Sequence, residues 1–166
     1  RGVVERASLS EPQACVFVDR DGTLNALDGH VSRPDQIVLL PGAAEAVKRL
    51  NQTEFRVALV TNQPVIARGD CTFADMRRIL GRLDGLLEEA GAWLDRVYFC
   101  PHHPDVGFPG EVPELKIRCD CRKPAPGMIL RASADLNADP KRSWMIGDST
   151  ADLAAGRAAG VRTILV

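Results

Sequence analysis

Asp19 and Asp21 flank an arginine and lead into Gly22-Thr23, directly after the apolar run Cys15-Val-Phe-Val18. Two carboxylates at one strand end can share a divalent cation, or one can attack an electrophile while the other moves protons. Asp-Arg-Asp-Gly alone also reads as an ordinary turn after a strand. Other polar groups repeat the pattern: Thr61-Asn62 closes the run Phe55–Val60, and Asp148 closes Ser143–Gly147, with Asp152 one helical turn later. Acids so placed suit magnesium, which takes oxygen ligands and bridges to phosphate oxygens, while Thr61, a backbone N–H and Lys123 could cradle the phosphoryl group. Each has a plain structural use as well: Thr61 as a cap, Lys123 as a surface charge, Asp148 as the start of a helix.

A second set carries softer ligands. Cys100-x-His102 is followed, after sixteen residues, by Cys119-x-Cys121. Three thiolates and an imidazole can surround zinc tetrahedrally and leave no open position, so the ion would be structural. Free cysteines or a redox pair are the alternatives, and His103 competes with His102 for the fourth place. An ion here would give an otherwise loose loop a reason to be ordered and would fix Arg122-Lys123 just beyond it.

The elements that must position these groups alternate. Apolar strand-length runs end at residues 18, 60, 99 and 147, and a final strand occupies Val161 to Val166. Helical spacing appears at Ala43, Ala46, Val47 and Leu50, then from Phe73 to Ala90 behind a Thr72/Asp75 capping pair, then from Pro126 to Leu136, and again between Asp148 and Gly160. Strand-then-helix alternation predicts an α/β fold of three α/β/α layers around a parallel sheet. Residues 25–41 are turn-rich, too short for a cap domain and suited to a flap beside the acids. Residues 1–14 show no periodicity and read as a tail or linker remnant, leaving 15–166 as one domain that includes the loop 100–121.

The 166 residues carry 21 basic and 22 acidic side chains, with no basic block, so nucleic acid is a weak partner. No 18-residue apolar run or signal-like start occurs, so the expected place is the cytoplasm and no membrane partner is expected. Five cysteines, an odd number, argue against a disulfide scaffold. No second strong apolar surface is visible, and a monomer is expected.

Asp19-Arg-Asp21-Gly-Thr23, Thr61-Asn62, Lys123 and Gly147-Asp148-x-x-x-Asp152 together resemble the four motifs of the haloacid-dehalogenase (HAD) phosphatase superfamily, over nearly all of residues 15–166. Thr61-Asn-Gln-x-x-Ile66-Ala-Arg-Gly69, Cys100-Pro-His-His-Pro104 and Cys121-Arg-Lys-Pro-x-Pro-Gly127-Met128 are most similar to the D-glycero-D-manno-heptose 1,7-bisphosphate phosphatases, with histidinol-phosphate phosphatases next. The resemblance implies a capless Rossmannoid domain with a zinc loop and a magnesium-dependent phosphatase that removes the C7 phosphate. Asp19 would be the nucleophile and Asp21 the acid/base. Asp19, the Asp21 backbone carbonyl and Asp148 would hold Mg2+, with Asp152 supporting Lys123 or the metal. Thr61, Asn62 and Lys123 would bind the phosphoryl group, and Arg122 and Arg68 the rest of a small phosphorylated sugar. Pro64-Val65 replaces the usual Ser-Gly, and the loop between the zinc half-sites is longer than in compact relatives. That elongated form resembles phosphatases fused to a sugar nucleotidyltransferase, so an upstream transferase, or a weakly active phosphate-binding domain, is a further reading.

Overall fold

The computed structural model describes residues 11–27 and 29–166. Strands β1 (Cys15–Val18), β2 (Arg56–Asn62), β3 (Arg96–Cys100), β4 (Trp144–Gly147) and β5 (Arg162–Leu165) form a parallel sheet in the order β3-β2-β1-β4-β5. Helices α1 (Ala43–Asn51), α2 (Phe73–Glu89), α3 (Gly127–Leu136) and α4 (Thr150–Ala158) lie between them in sequence. The chain steps outward from β1 through β2 to β3 and then returns to the other flank of β1 as β4. The strand order therefore reverses between β1 and β4, and at such a reversal the loops leaving the strands part to open a crevice.

Period-two alternation decides which core each side chain joins. Val18, Val57 and Leu59 pack with Val47 of α1 and Met76, Ile79, Leu83 and Leu87 of α2. Phe17, Ala58, Val60 and Met145 face the other way, onto Met128, Ile129 and Ala132 of α3 and Ala155 of α4. These two cores are the interfaces of the expected three layers. Full burial of each large aliphatic group contributes roughly 1.5–3 kcal/mol.

Several boundaries differ from the sequence reading for local reasons. The second strand runs to Asn62, because Thr61 and Asn62 pair with Phe99 and Cys100 of β3. The third starts at Arg96, since the Asp95 carboxylate accepts from Val57 N at 2.9 Å before the ladder begins. Residues 1–10 of the expected tail lie outside the described residues. Gln13 and Ala14 are tied to the body: Gln13 N donates to Asn137 O at 2.7 Å, and Ala14 O accepts from Arg56 N at 2.8 Å. The turn-rich segment after β1, expected as a flap beside the acids, is tied to the body. Val31 and Ile37 are buried, and Ala26 N and Leu40 N donate to Val38 O and Leu24 O at 2.8 and 2.9 Å. No helix of the described residues is long and apolar enough to cross a membrane.

Candidate active site

Asp19 leaves β1 and Asp148 leaves β4 at the crevice between those strands. Asp152, in the first turn of α4, completes a group of carboxylates whose ligand atoms lie within 4.8 Å of one another. Lys123 enters from the loop before α3. Its Nζ donates to Asp19 Oδ1 at 2.7 Å and to Val60 O at 2.8 Å, and it pairs with Asp152 Oδ1 at 2.5 Å. An ammonium has three N–H bonds, so these contacts use all of them and fix the cation's position. Burial pushes the Asp19 carboxyl above its ordinary range, against the pull of Lys123, with Asp152 adding to the rise. Asp148 is raised for the same first reason, and Asp152 and Asp21 add to it.

The chain's local rules explain why these acids converge. Ser149 caps α4: its Oγ accepts from Asp152 N at 3.3 Å, and Asp152 Oδ2 accepts from Ser149 N and Oγ at 3.0 and 2.6 Å. Asp152 thus belongs to a capping box on one oxygen and holds Lys123 with the other. The Asp148 side chain packs against Gly22, whose φ is 81°, and any Cβ there would collide with the Asp148 carboxylate. Only glycine satisfies both demands.

Asp21 is close by in sequence yet held apart. Arg20 Nε and Nη2 donate to its Oδ1 and Oδ2 at 3.0 and 2.8 Å, Asn25 Nδ2 donates to Oδ1 at 3.0 Å, and Gln63 Nε2 donates to Oδ2 at 3.0 Å. A carboxylate has about four lone-pair sites, and here all are filled. The Arg20 side chain is fully buried, so its charge is answered by Asp21 rather than by water. Gln63 Nε2 also donates to Thr61 Oγ1 at 2.9 Å, which leaves the threonine hydroxyl hydrogen free to point elsewhere. Sequence reasoning gave no role to Arg20, Asn25 or Gln63. The signal was present in their adjacency to the motifs, but only the fold shows which way they turn.

Asn62 also acts differently from its neighbour. Its Nδ2 donates to Lys123 O and its Oδ1 accepts from Lys123 N, both at 3.0 Å. The amide therefore clamps the backbone that carries the lysine. Arg122, next in line, donates from Nη1 to His102 O at 3.3 Å.

The softer set gathers as the spacing predicts. Cys100 Sγ lies 3.5 Å from Cys119 Sγ, 3.1 Å from Cys121 Sγ and 3.6 Å from His102 Nδ1. Cys121 Sγ is 3.3 Å from Cys119 Sγ and 3.3 Å from His102 Nδ1. Tetrahedral zinc with Zn–S near 2.3 Å needs edges of roughly 3.7 Å, so a small contraction separates this cluster from that geometry. Burial pushes the Cys100 and Cys121 thiols up, an arrangement that a bound dication would reverse. Of the two histidines, His102 is the one that lies within the thiol cluster. His103 turns the other way, buried beside Arg68 Nη2 at 3.4 Å, and burial followed by the charges of Arg122 and Arg68 holds its imidazole below the ordinary range.

Residues 120–166 match the HAD-hydrolase-like family model. A D-glycero-beta-D-manno-heptose-1,7-bisphosphate 7-phosphatase of Yersinia pestis is 40% identical over 155 residues, 93% of this chain and 80% of that protein. Its counterpart in Pasteurella multocida is 41% identical over 152 residues, 91% of this chain and 80% of that protein. The crystal structure of D,D-heptose 1,7-bisphosphate phosphatase from B. bronchiseptica, complexed with magnesium and phosphate, superposes with a TM-score of 0.81 at 34% identity, covering 92% of this chain and 80% of that one.

Proposed function

The chain belongs to the D-glycero-beta-D-manno-heptose-1,7-bisphosphate 7-phosphatase family of HAD-like hydrolases, and from that premise we propose that it removes the C7 phosphate of D-glycero-D-manno-heptose 1,7-bisphosphate to leave the 1-phosphate. The observation that carries the reading is the convergence of Asp19, Asp148, Asp152 and a fully engaged Lys123 at the β1/β4 crevice.

Asp19 Oδ1 is held by Lys123, so the attack is assigned to Oδ2. That oxygen forms a bond to phosphorus as the bond from phosphorus to the sugar oxygen breaks, giving an aspartyl-phosphate. Asp21 supplies a proton to the departing alkoxide and later takes one from the water that cleaves the acyl-phosphate. With its lone-pair sites all filled, Asp21 must first release at least one of Arg20, Asn25 and Gln63 and take up a proton from water before it can protonate the leaving group. Their hold is therefore a resting position. Thr61 Oγ1–H, the Asn62 backbone N–H and Lys123 stabilise the phosphoryl oxygens as charge builds.

The crowding of carboxylates suits a hard dication. Asp19, Asp148 and the Asp21 backbone carbonyl would hold Mg2+, which when bound offsets negative charge on the transferring group. Asp152 is left to Lys123 and Ser149. The thiol and imidazole cluster fits structural Zn2+, ordering the loop that delivers Arg122 and Lys123. Arg122 and Arg68 are assigned to the body and distal phosphate of the sugar.

Phosphate release from both heptose-bisphosphate anomers and from histidinol phosphate, with 31P NMR to identify the ester cleaved, tests the reading. The expected outcome is a kcat/KM at least about 100-fold higher on one heptose bisphosphate. A higher value on histidinol phosphate would reassign the substrate. Equal, very low rates on all three would favour the binding-domain reading.

A further inference from the structure

The longer stretch between the zinc half-sites contributes an aromatic ring that the catalytic assignment does not use. Phe108 sits at the tip of a turn held by Glu111, whose Oε2 accepts from Gly107 N and Phe108 N, both at 3.0 Å. Those bonds, with Lys116 to a lesser degree, hold the Glu111 carboxyl below its ordinary range. Lys116 Nζ, almost wholly buried, lies 4.6 Å from the ring centroid and 3.5 Å from Glu111 Oε2. The ring is therefore fixed from its own loop.

On that ring rests Arg68, its Cζ 4.9 Å from the centroid. The Arg68 guanidinium also meets His30 Nε2 and His103 Nε2. Its partners are thus two imidazoles and a π face. Among the described residues no carboxylate lies within ion-pair distance of it. The two loops are seated tightly on each other: Val112 N donates to Ala67 O at 3.0 Å, and Gly69 approaches the Gly110 carbonyl so closely that no Cβ could stand between them. Arg122 and Arg68 flank His103, and Arg122 adjoins Lys123. Lys123 at the phosphoryl site and Arg68 beside His103 are thus separate cationic groups, which suits a ligand with two separated anionic groups.

We infer that Phe108 is a specificity-determining positioning residue, whose ring holds Arg68 where it reads the non-reacting phosphate of a sugar bisphosphate. The inference rests on the bisphosphate reading above. The ring touches no substrate atom; its effect passes through Arg68. A cation over an aromatic face is attracted by the ring quadrupole, which leucine of similar bulk lacks.

Kinetics on heptose 1,7-bisphosphate and on heptose 7-phosphate, which lacks the distal group, separate this role from general loop support. For F108L the KM for the bisphosphate should rise about tenfold, equivalent to about 1.4 kcal/mol, with kcat and the constants for the 7-phosphate changed less than about twofold. Zinc content should stay at the wild-type level, and F108W should restore the bisphosphate KM to within about threefold. R68Q should reproduce the KM rise, and the double variant F108L/R68Q should show little further loss, because both changes remove one coupled interaction. An unchanged bisphosphate KM in F108L, equal losses on both esters, or additive losses in the double variant would each overturn the inference while leaving the phosphatase reading intact. A wild type that handles the two esters alike would remove the bisphosphate reading, and this inference with it.

Discussion

The thiol and imidazole cluster takes all its ligands from one stretch between Cys100 and Cys121, whereas the carboxylate cluster draws on Asp19, Asp148 and Asp152, spread over most of the chain. Apart from Cys100, which ends β3, the first lies in a loop whose regular structure is limited to a single 3-10 turn, Pro113–Leu115. The second is assembled by the order of a parallel sheet, before any ion is considered. A loop has little apolar burial with which to offset its own ordering entropy, and an ion bound there would supply what packing does not. Strand ends anchored in two packed cores need no such help, and an ion there is free to serve chemistry. One site is therefore expected to fail by losing structure, and the other by losing rate.

The sharpest break of that comparison is D19N, which removes the attacking oxygen's charge but keeps its shape. Turnover should fall by more than about 10^4-fold, as for loss of a nucleophile that works as part of a set. Thermal unfolding and zinc content should remain near wild type. Phosphate-release assays with calorimetry check both halves, and residual turnover near wild type would sink the nucleophile assignment. K123A should come next, losing about 3 kcal/mol of transition-state stabilisation, or roughly 100-fold in kcat. Its ammonium ties Asp19 after β1 to Val60 of β2 and Asp152 of α4, so a modest fall in stability should accompany the loss in rate.

C119S should show the opposite signature. Metal analysis should find zinc lost, and protease should cut between residues 104 and 118, while kcat/KM falls about tenfold. The rate falls less than in K123A because Asn62 still grips the Lys123 backbone from β2. Intact loop protection in zinc-free protein would show that packing, not the ion, orders this segment. Q63L probes the sheet-built site more gently. It deletes the amide that donates to both Thr61 Oγ1 and Asp21 Oδ2, and a loss of about tenfold in kcat is expected, with KM little changed. A rise in KM alone would place Gln63 on substrate instead.

Much of this was legible in the sequence because Asp19, Thr61 and Asp148 each follow an apolar run, and strand ends are where open sheets place ligands. The two halves of the thiol cluster were equally plain, since their short spacings are set by metal geometry. Other features depend on direction in space. His102 and His103 are adjacent and chemically identical, and only the path of the loop after β3 sends one to sulfur and the other to Arg68. Asn62 resembles a phosphate ligand until the loop before α3 is seen lying across it. Arg20 stands between two aspartates and could have faced solvent, but it is buried beneath α2, with Nη1 3.8 Å from Met76 Sδ. Phe108 lies in the segment where pattern is weakest, and nothing in its spacing points to Arg68.

The smallest effect in the series concerns protons at the carboxylate site. Burial raises the Asp19 and Asp148 carboxyls above their unfolded range. For an acid raised on folding, the folded state binds its proton more tightly, so that contribution favours the fold at low pH and is lost as pH rises through the folded value. At neutral pH the metal-free site therefore holds charges that burial disfavours, and magnesium should relieve them. Protons and the ion compete for the same oxygens. The gain in Tm from saturating Mg2+ is thus expected to be larger at pH 7.5 than at pH 5, by a few degrees, and to vanish in a D19N/D148N variant. The thiol and imidazole cluster should contribute nothing to that difference. A magnesium shift of equal size at both pH values would mean that these carboxylates are not where the ion binds.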